Sequence, residues 1–295
     1  MMVITKQQEV INGDTKMSKD EKLTKENYHG EYGKKNYLSF SQFEDFESCE
    51  VMAMAKINGA EEEPTDAMLF GSWVDAHFSG EEEEFITKNK NRLYSPKTGQ
   101  LYAAFKDVQK VINFIETYTN DEGEKPFLKY WSGETQVIQT GIIAGVPVKT
   151  KMDSYFPRKC IADGKVMKDL EDVWVVKDGR NVKVNYIEAR DYPMEGALYQ
   201  EIERQNSGFP DERLPFVLNV TTKEEITNGE LVLIDQDIMD ERLEYFKEKA
   251  PRYQKIKLGL IEPIGCGKCA ECIKRKQVYA PKSYRKLYLE GKEEE

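Results

Sequence analysis

From Leu38 onward the chain passes through a series of hydrophobic periods, and their order predicts the architecture. In SFSQFEDFESCEVMAMAKING, Phe43, Phe46, Val51, Met54 and Ile57 recur at helical spacing. This predicts one helix with Ser41 as N-cap, Glu44 completing a capping box, Cys49 inside it and Gly59 just past its end. A second helix is expected from Thr65 through TDAMLFGSWVDAHFSG, with Asp66 favourable in its first turn. Gly71 inside it costs roughly 1 kcal/mol against alanine, which suggests close approach of another backbone. Asp75 follows one turn later on the same face. Glu81 to Glu84 read as a solvated acidic turn, and Leu101 to Tyr118 as a third amphipathic helix.

The period then changes to two. Residues 134–140, 146–155 and 160–166 alternate like half-buried strands, with Gly145 and Pro157–Arg158 at the turns between them. Residues 168–185, with Trp174, are expected to form a loop. Pro193 can open a helix over 194–205, followed by strands over 214–222 and 230–234 and a final helix over 237–258 with Asp237 as a candidate cap. A meander followed by a helix and a further strand predicts an α/β fold, a mixed sheet with helices on both faces. Residues 1–36 lack periodicity and are expected to be disordered. Residues 37–262 form the expected domain, and 263–295 a cysteine-rich basic segment with an acidic tail.

The meander carries the candidate chemistry. Asp153 stands near the end of one strand, and Asp163 and Lys165 on the next are two apart, so they leave the same face. Two carboxylates and an ammonium at one spot suggest a metal site for phosphodiester cleavage. The carboxylates would hold a hard cation through oxygen. The lysine would orient or deprotonate the attacking water and offset charge growing on the phosphate. The competing reading is a plain surface salt bridge.

The cysteines make a second cluster. Three of the five fall in CGKCAEC, as Cys266, Cys269 and Cys272. Such spacing suits metal ligation in a reducing compartment rather than a disulfide framework. Cys49 is the obvious fourth ligand, and Cys160, in an apolar strand, reads as core. Four thiolates fit a [4Fe–4S] cluster or zinc. The tight spacing favours the cluster, which would clip the C-terminus onto the first helix.

The chain has 295 residues and a net charge of −10, which argues against a nucleic-acid partner until its distribution is considered. Residues 251–288 hold ten Lys and Arg against two acids, +8, leaving −18 elsewhere. A local basic patch on an acidic protein can bind phosphates. No apolar run is long enough to span a bilayer and no signal peptide opens the chain, so the expected location is the cytoplasm.

Together these stretches resemble the PD-(D/E)XK nuclease superfamily, and more closely its exodeoxyribonuclease VIII-like, phage-type branch, over roughly residues 37–278. The resemblance rests on YLSFSQFEDFESCE, AMLFGSWVDAHFSG, KMDSYF followed by CIADGKVM, YPMEGALYQEIERQNSG, and CGKCAEC. It implies a restriction-endonuclease-like sheet in which Asp153 and Asp163 are the acids and Lys165 the lysine of the active site. Cys49, Cys266, Cys269 and Cys272 are similar to the ligands of iron–sulfur exonucleases.

Two positions depart from the pattern. Asp75 stands where related nucleases often carry a metal-binding histidine, with His77 two residues on, and Glu195 stands where a glutamine is usual, with Tyr199 one turn later as expected. The resemblance implies a Mg²⁺- or Mn²⁺-dependent enzyme that degrades one strand of duplex DNA from an end, beside a single-strand annealing protein. In this reading Asp75 is a third metal ligand, the Gly164 carbonyl an added one, and Glu195, Tyr199 and Gln200 a supporting shell. Acidic monomers can also build a homo-oligomeric ring with a basic channel. The departures motivate a rival, a non-catalytic DNA-end-binding module on the same fold. A second rival is a redox or zinc-binding regulator in which only the cysteines matter.

Overall fold

The computed structural model describes residues 22–60, 63–177, 179–281 and 283–285. Of the stretch expected to be disordered, residues 1–21 lie outside the described residues. Residues 22–36 instead carry two short helices, α1 (Lys25–Tyr28) and α2 (Glu31–Asn36). Tyr28, with Leu23 and Tyr37, forms a small apolar cluster that ties them down. Aromatic contacts between sparse residues, rather than periodicity, hold this segment.

The expected first helix is two helices, α3 (Phe40–Ser48) and α4 (Glu50–Ile57). Its cap is Ser39, whose Oγ accepts from Gln42 N at 3.3 Å, so Ser41 and Glu44 do not form a capping box. Cys49 is extended, φ −169°, and caps α4 instead of lying within a helix. The break follows from long-range contacts. Cys49 Sγ meets the C-terminal cysteines, while Glu50 takes a two-pronged grip from Arg252 (2.7 and 2.9 Å) and a bond from Ile264 N (2.6 Å).

Next come α5 (Asp66–Phe78), α6 (Glu82–Leu93), a 3₁₀ turn at Ala103–Phe105, α7 (Val108–Thr117) and α8 (Pro126–Lys129). Thr65 caps α5, accepting from Met68 N. The acidic run is the first turn of α6, where carboxylates favour the helix dipole, rather than a free turn. At Gly71 a Cβ would meet nothing within 4 Å, so no backbone approach demands that glycine.

The sheet follows: β1 (Glu134–Ile143), β2 (Val146–Phe156) and β3 (Cys160–Met167). The stretch expected to be a loop is a separate hairpin, β4 (Val173–Lys177) and β5 (Arg180–Val184), that exposes Trp174. Then come α9 (Tyr186–Ala189), α10 (Tyr192–Asn206), β6 (Phe216–Thr222), β7 (Gly229–Leu233), α11 (Gln236–Lys257) and α12 (Ala270–Lys274). Asp235, not Asp237, is the cap residue of α11.

Strand order is β1-β2-β3-β6-β7, with β3 and β6 parallel and the other pairs antiparallel. The expected mixed sheet with helices on both faces is therefore present. One face packs Met152, Ile161, Phe216 and Leu218 against α3, α10 and α11. The other carries Val166 and Leu231 against α5 and α7, with Trp73, Ile112 and Trp131 between. All seven residues of β6 are buried, as a central strand requires.

Candidate active site

β2 and β3 pair only from Phe156↔Cys160 to Ser154↔Ala162. One step further, where the pairing stops, Asp153 comes opposite Asp163. The parting strands leave room for their carboxylates, which lie within hydrogen-bond reach of each other. Asp153 Oδ2 also accepts from Gly164 N at 3.2 Å. Glycine is required at 164, because a Cβ there would lie 2.0 Å from Trp131 Cζ2. Gly164→Ala must push Trp131 aside. The expected cost is about 1–3 kcal/mol, read by denaturant unfolding, together with loss of cleavage as Asp163 and Lys165 shift.

Asp163 is 2% exposed. Lys165 Nζ lies 2.5 Å from Asp163 Oδ2 and 2.9 Å from Glu195 Oε2, and 5.0 Å above the centre of the Tyr192 ring. Those two carboxylate oxygens are out of contact with water and accept no well-directed hydrogen bond, so the ammonium is their partner. Glu195 is brought in by α10. That helix starts at Asp191 in a left-handed conformation, φ +48°, gripped by Arg242 at 2.9 and 2.6 Å, with Pro193 in the first turn. The Tyr199 hydroxyl is shared between the Lys151 carbonyl (3.0 Å) and Glu195 Oε1 (3.3 Å).

The acids repel one another. Burial first, then neighbouring carboxylates, pushes Asp153, Asp163 and Glu195 up to about 7. Burial raises Asp75 to about 6 against the pull of Lys151. Burial alone would lower Lys165, but Asp163, Glu195 and Asp153 hold it well above the ordinary lysine range. An ammonium held this way keeps its proton. Of the two roles expected for it, the geometry suits a fixed positive charge that orients water and phosphate, not a base.

The arrangement fits a hard divalent cation. Four carboxyls face a small space with Lys165 and Lys151 as the nearby cations, and a further positive charge relieves the repulsion that raises them. Asp153 and Asp163 would hold such an ion, with Asp75 beside them.

Gln136 is a member that periodicity does not reveal. It is 5% exposed, sits at φ +55° within β1, and donates Nε2 to Asp75 Oδ1 at 2.8 Å and Asp153 Oδ1 at 3.4 Å. A left-handed glutamine inside a strand is strained, and such strain gathers at functional sites. Its one sequence signal is a polar residue at an inward strand position. Glu44, freed from any capping role, faces Glu195. The packing around its open carboxyl and then Glu195 and Asp191 push it up to about 7.

Two residues do not join the cluster. Gln200 is buried away from it, donating to the Leu214 carbonyl and exchanging bonds with Gln236. His77 lies between Glu82 (2.7 Å) and Glu116 (3.2 Å). Burial would lower its imidazole, but those carboxylates raise it above the ordinary range. The stability this contributes is fully present below the unfolded value near pH 6.5 and is lost as pH rises through the raised folded value. The expected advantage of wild type over His77→Gln is under about 1 kcal/mol at acid pH, shrinking above neutrality. Thermal melts across pH check this.

The four cysteines meet at the other end of α3. Their sulfurs lie within 4.8 Å of one another, with Cys49 3.6 Å from Cys272 and 3.7 Å from Cys269. A tetrahedron of ~2.3 Å Zn–S bonds has an edge of about 3.8 Å, so the sulfurs as they stand suit one ion. A four-iron cluster asks them to spread, each onto its own iron. The Lys268 and Cys269 amides, at 3.4 and 3.3 Å, push the Cys266 thiol down to about 6. Cys160 stays apart from this group. Part of the basic C-terminal charge is spent internally, by Arg252 on Glu50, Lys257 on the Tyr37 carbonyl and Gln42, and Lys274 on Glu271.

The PDDEXK-like domain family, described as a domain of unknown function (DUF3799), matches residues 39–275. The chain belongs to this PDDEXK-like family. It is also similar to a crystal structure from Eubacterium rectale described as "Putative exonuclease", with TM-score 0.81 and 35% identity over 90% of this chain and 98% of that one. No curated protein matches the chain. Within the PDDEXK-like domain, the two acids and the lysine of the family name correspond to the Asp153, Asp163 and Lys165 cluster. Among the described residues no helix is long and apolar enough to cross a membrane.

Proposed function

We propose that this protein is a deoxyribonuclease, dependent on Mg²⁺ or Mn²⁺, that degrades one strand of linear duplex DNA from its ends. The observation that carries the reading is the meeting of Asp153 and Asp163 where β2 and β3 part, with the Lys165 ammonium held between Asp163 and Glu195. The likeness to a protein described as an exonuclease supports it. Asp153 and Asp163 would hold the cation, with Asp75 a third ligand and the Gly164 carbonyl an added one. The bound ion would act as a Lewis acid and lower the pKa of its water. Lys165 offsets charge growing on the phosphate, Glu195 and Tyr199 fix the lysine, and Gln136 orients Asp75 and Asp153.

The reading extends to phage-type recombination in the cytoplasm, beside a single-strand annealing protein and with a homo-oligomer as a candidate assembly. The four cysteines would hold a [4Fe–4S] cluster or zinc as a structural clip. A specific feature favours a second reading, an end-binding module without activity. Glu195 stands where a neutral glutamine is usual, and the extra carboxylate repels phosphate.

End-labelled linear duplex and a closed circle, each incubated with protein and Mg²⁺ or Mn²⁺, decide between them. Loss of the linear DNA alone supports the exonuclease. Both DNAs intact, with tight binding of the linear one, supports the end-binding module.

A further inference from the structure

A second cavity, of about 200 Å³, opens beside the acidic cluster between α2, α3, α4 and β2. At ~30 Å³ per water it has space for about six waters, enough for a small hydrated anion. Three lysines line it, Lys34, Lys56 and Lys149, against a single acid, Asp45, which pairs with Lys56 at 2.7 Å. The lining is therefore +2.

Lys149 is the unusual member. It is 4% exposed, donates to the Tyr28 carbonyl and lies 4.1 Å above the Tyr28 ring centre. Among the described residues it has no carboxylate partner. A buried ammonium without a counter-ion is costly, and its burial and Lys34 push it down to about 8. His29, open at its edge to the mouth, shows the same field. The packing around it, then Lys151, Lys149, Lys34 and Lys88, push it down to about 4. The N-terminal turn of α3 adds donors at the wall, with Ser39 Oγ 3.1 Å from Ser41 Oγ.

Position links this cavity to the acids. Lys149, Lys151 and Asp153 alternate on β2 and leave one face. Four residues at ~3.3 Å each put the cavity about 13 Å from Asp153, at most about four nucleotides at ~3.4 Å rise per nucleotide.

The geometry points to a binding site for a dianionic phosphate, occupied by the phosphate at the terminus of the DNA strand being cut. A terminal phosphate carries about −1.5 to −2 at neutral pH and matches the +2 lining. An internal diester carries one charge and must run both in and out of the cavity. The anion chemistry stands alone, and the occupant rests on the nuclease reading above.

Two measurements test this on the full-length protein. Calorimetry with inorganic phosphate and with a nucleoside monophosphate, without divalent metal, reads the site directly. Cleavage of linear duplexes with or without a phosphate at each terminus reads the occupant. Binding of inorganic phosphate and a tenfold or greater preference for one phosphorylated terminus are expected. Both should be lost in Lys149→Met and weakened in Lys34→Ala, with the rate on unphosphorylated ends unchanged. Lys149→Met keeps the apolar stem and removes a costly buried charge, so it should fold, and Lys34→Ala guards against the case where it does not.

Wild type that cleaves linear DNA, ignores terminal phosphate and does not bind inorganic phosphate overturns the site and leaves the nuclease reading standing. Wild type that binds the nucleoside monophosphate but ignores the strand terminus overturns the strand-end occupant. Phosphate binding that needs Lys149 in a protein that cleaves nothing upholds the anion site and overturns the nuclease reading.

Discussion

Lys165→Ala is expected to stop phosphodiester cleavage while leaving divalent-metal binding in place. The ammonium is the group in the cluster that meets growing negative charge on a phosphate, and removing one such preorganised donor costs about 10²–10³ in rate. It also leaves Asp163 Oδ2 and Glu195 Oε2, both shut off from water, without their partner. Breaking a buried ion pair costs about 3–5 kcal/mol. Here the loss should be smaller, because both carboxyls already stand near 7 and can take a proton. The variant should therefore fold with a lowered Tm. Calorimetry with Mn²⁺ should show affinity unchanged or higher, since no cation competes for the acids. Asp163→Asn, by contrast, should lose both metal binding and cleavage. A Lys165→Ala protein that cleaves within tenfold of wild type would remove the lysine from the mechanism.

Removing one thiolate is expected to give the largest change in stability. Cys269→Ala should abolish bound metal, whether zinc or iron with sulfide, and free residues 263–275 from α4. Metal binding is folding free energy where the site exists only in the folded state, and a whole zinc-finger site supplies about 10–16 kcal/mol. Here the metal pins one end of a domain that has two cores of its own. A loss on the order of 5 kcal/mol in denaturant unfolding is expected, less than the peptide figure. Elemental analysis identifies the metal, and limited proteolysis should find new cuts beyond α11. Cleavage activity should survive in part, since the acids belong to β2, β3 and α10. An unchanged Tm in a metal-free variant would show that the cysteines do not clip the fold.

The meander was legible because its signal is local. Alternation over 146–155 and 160–166 set β2 and β3, and a period of two placed Asp163 and Lys165 on one face whatever packs against it. Pro193 marked the start of α10, which carries Glu195. Cys49 misled the helical reading because its neighbours are apolar at helical spacing. The break there answers to Cys266, Glu50 and Arg252, more than 200 positions away for two of these pairs. The run at 168–185 carried alternation too weak to separate a hairpin from a loop. Gln136 was invisible for a different reason, since nothing local marks a strand residue that will turn left-handed to reach Asp75.

By itself, the sequence determined the order of helices and strands, the face shared by Asp163 and Lys165, and the four-cysteine set, because each depends on spacing along the backbone. Only the tertiary structure decided that the strands part at Asp153, that Gln136 joins Asp75 to Asp153, and that Lys165 is locked between two acids and keeps its proton. Those features depend on burial and on charges that distant segments bring together, and neither quantity is encoded in the period of any one stretch.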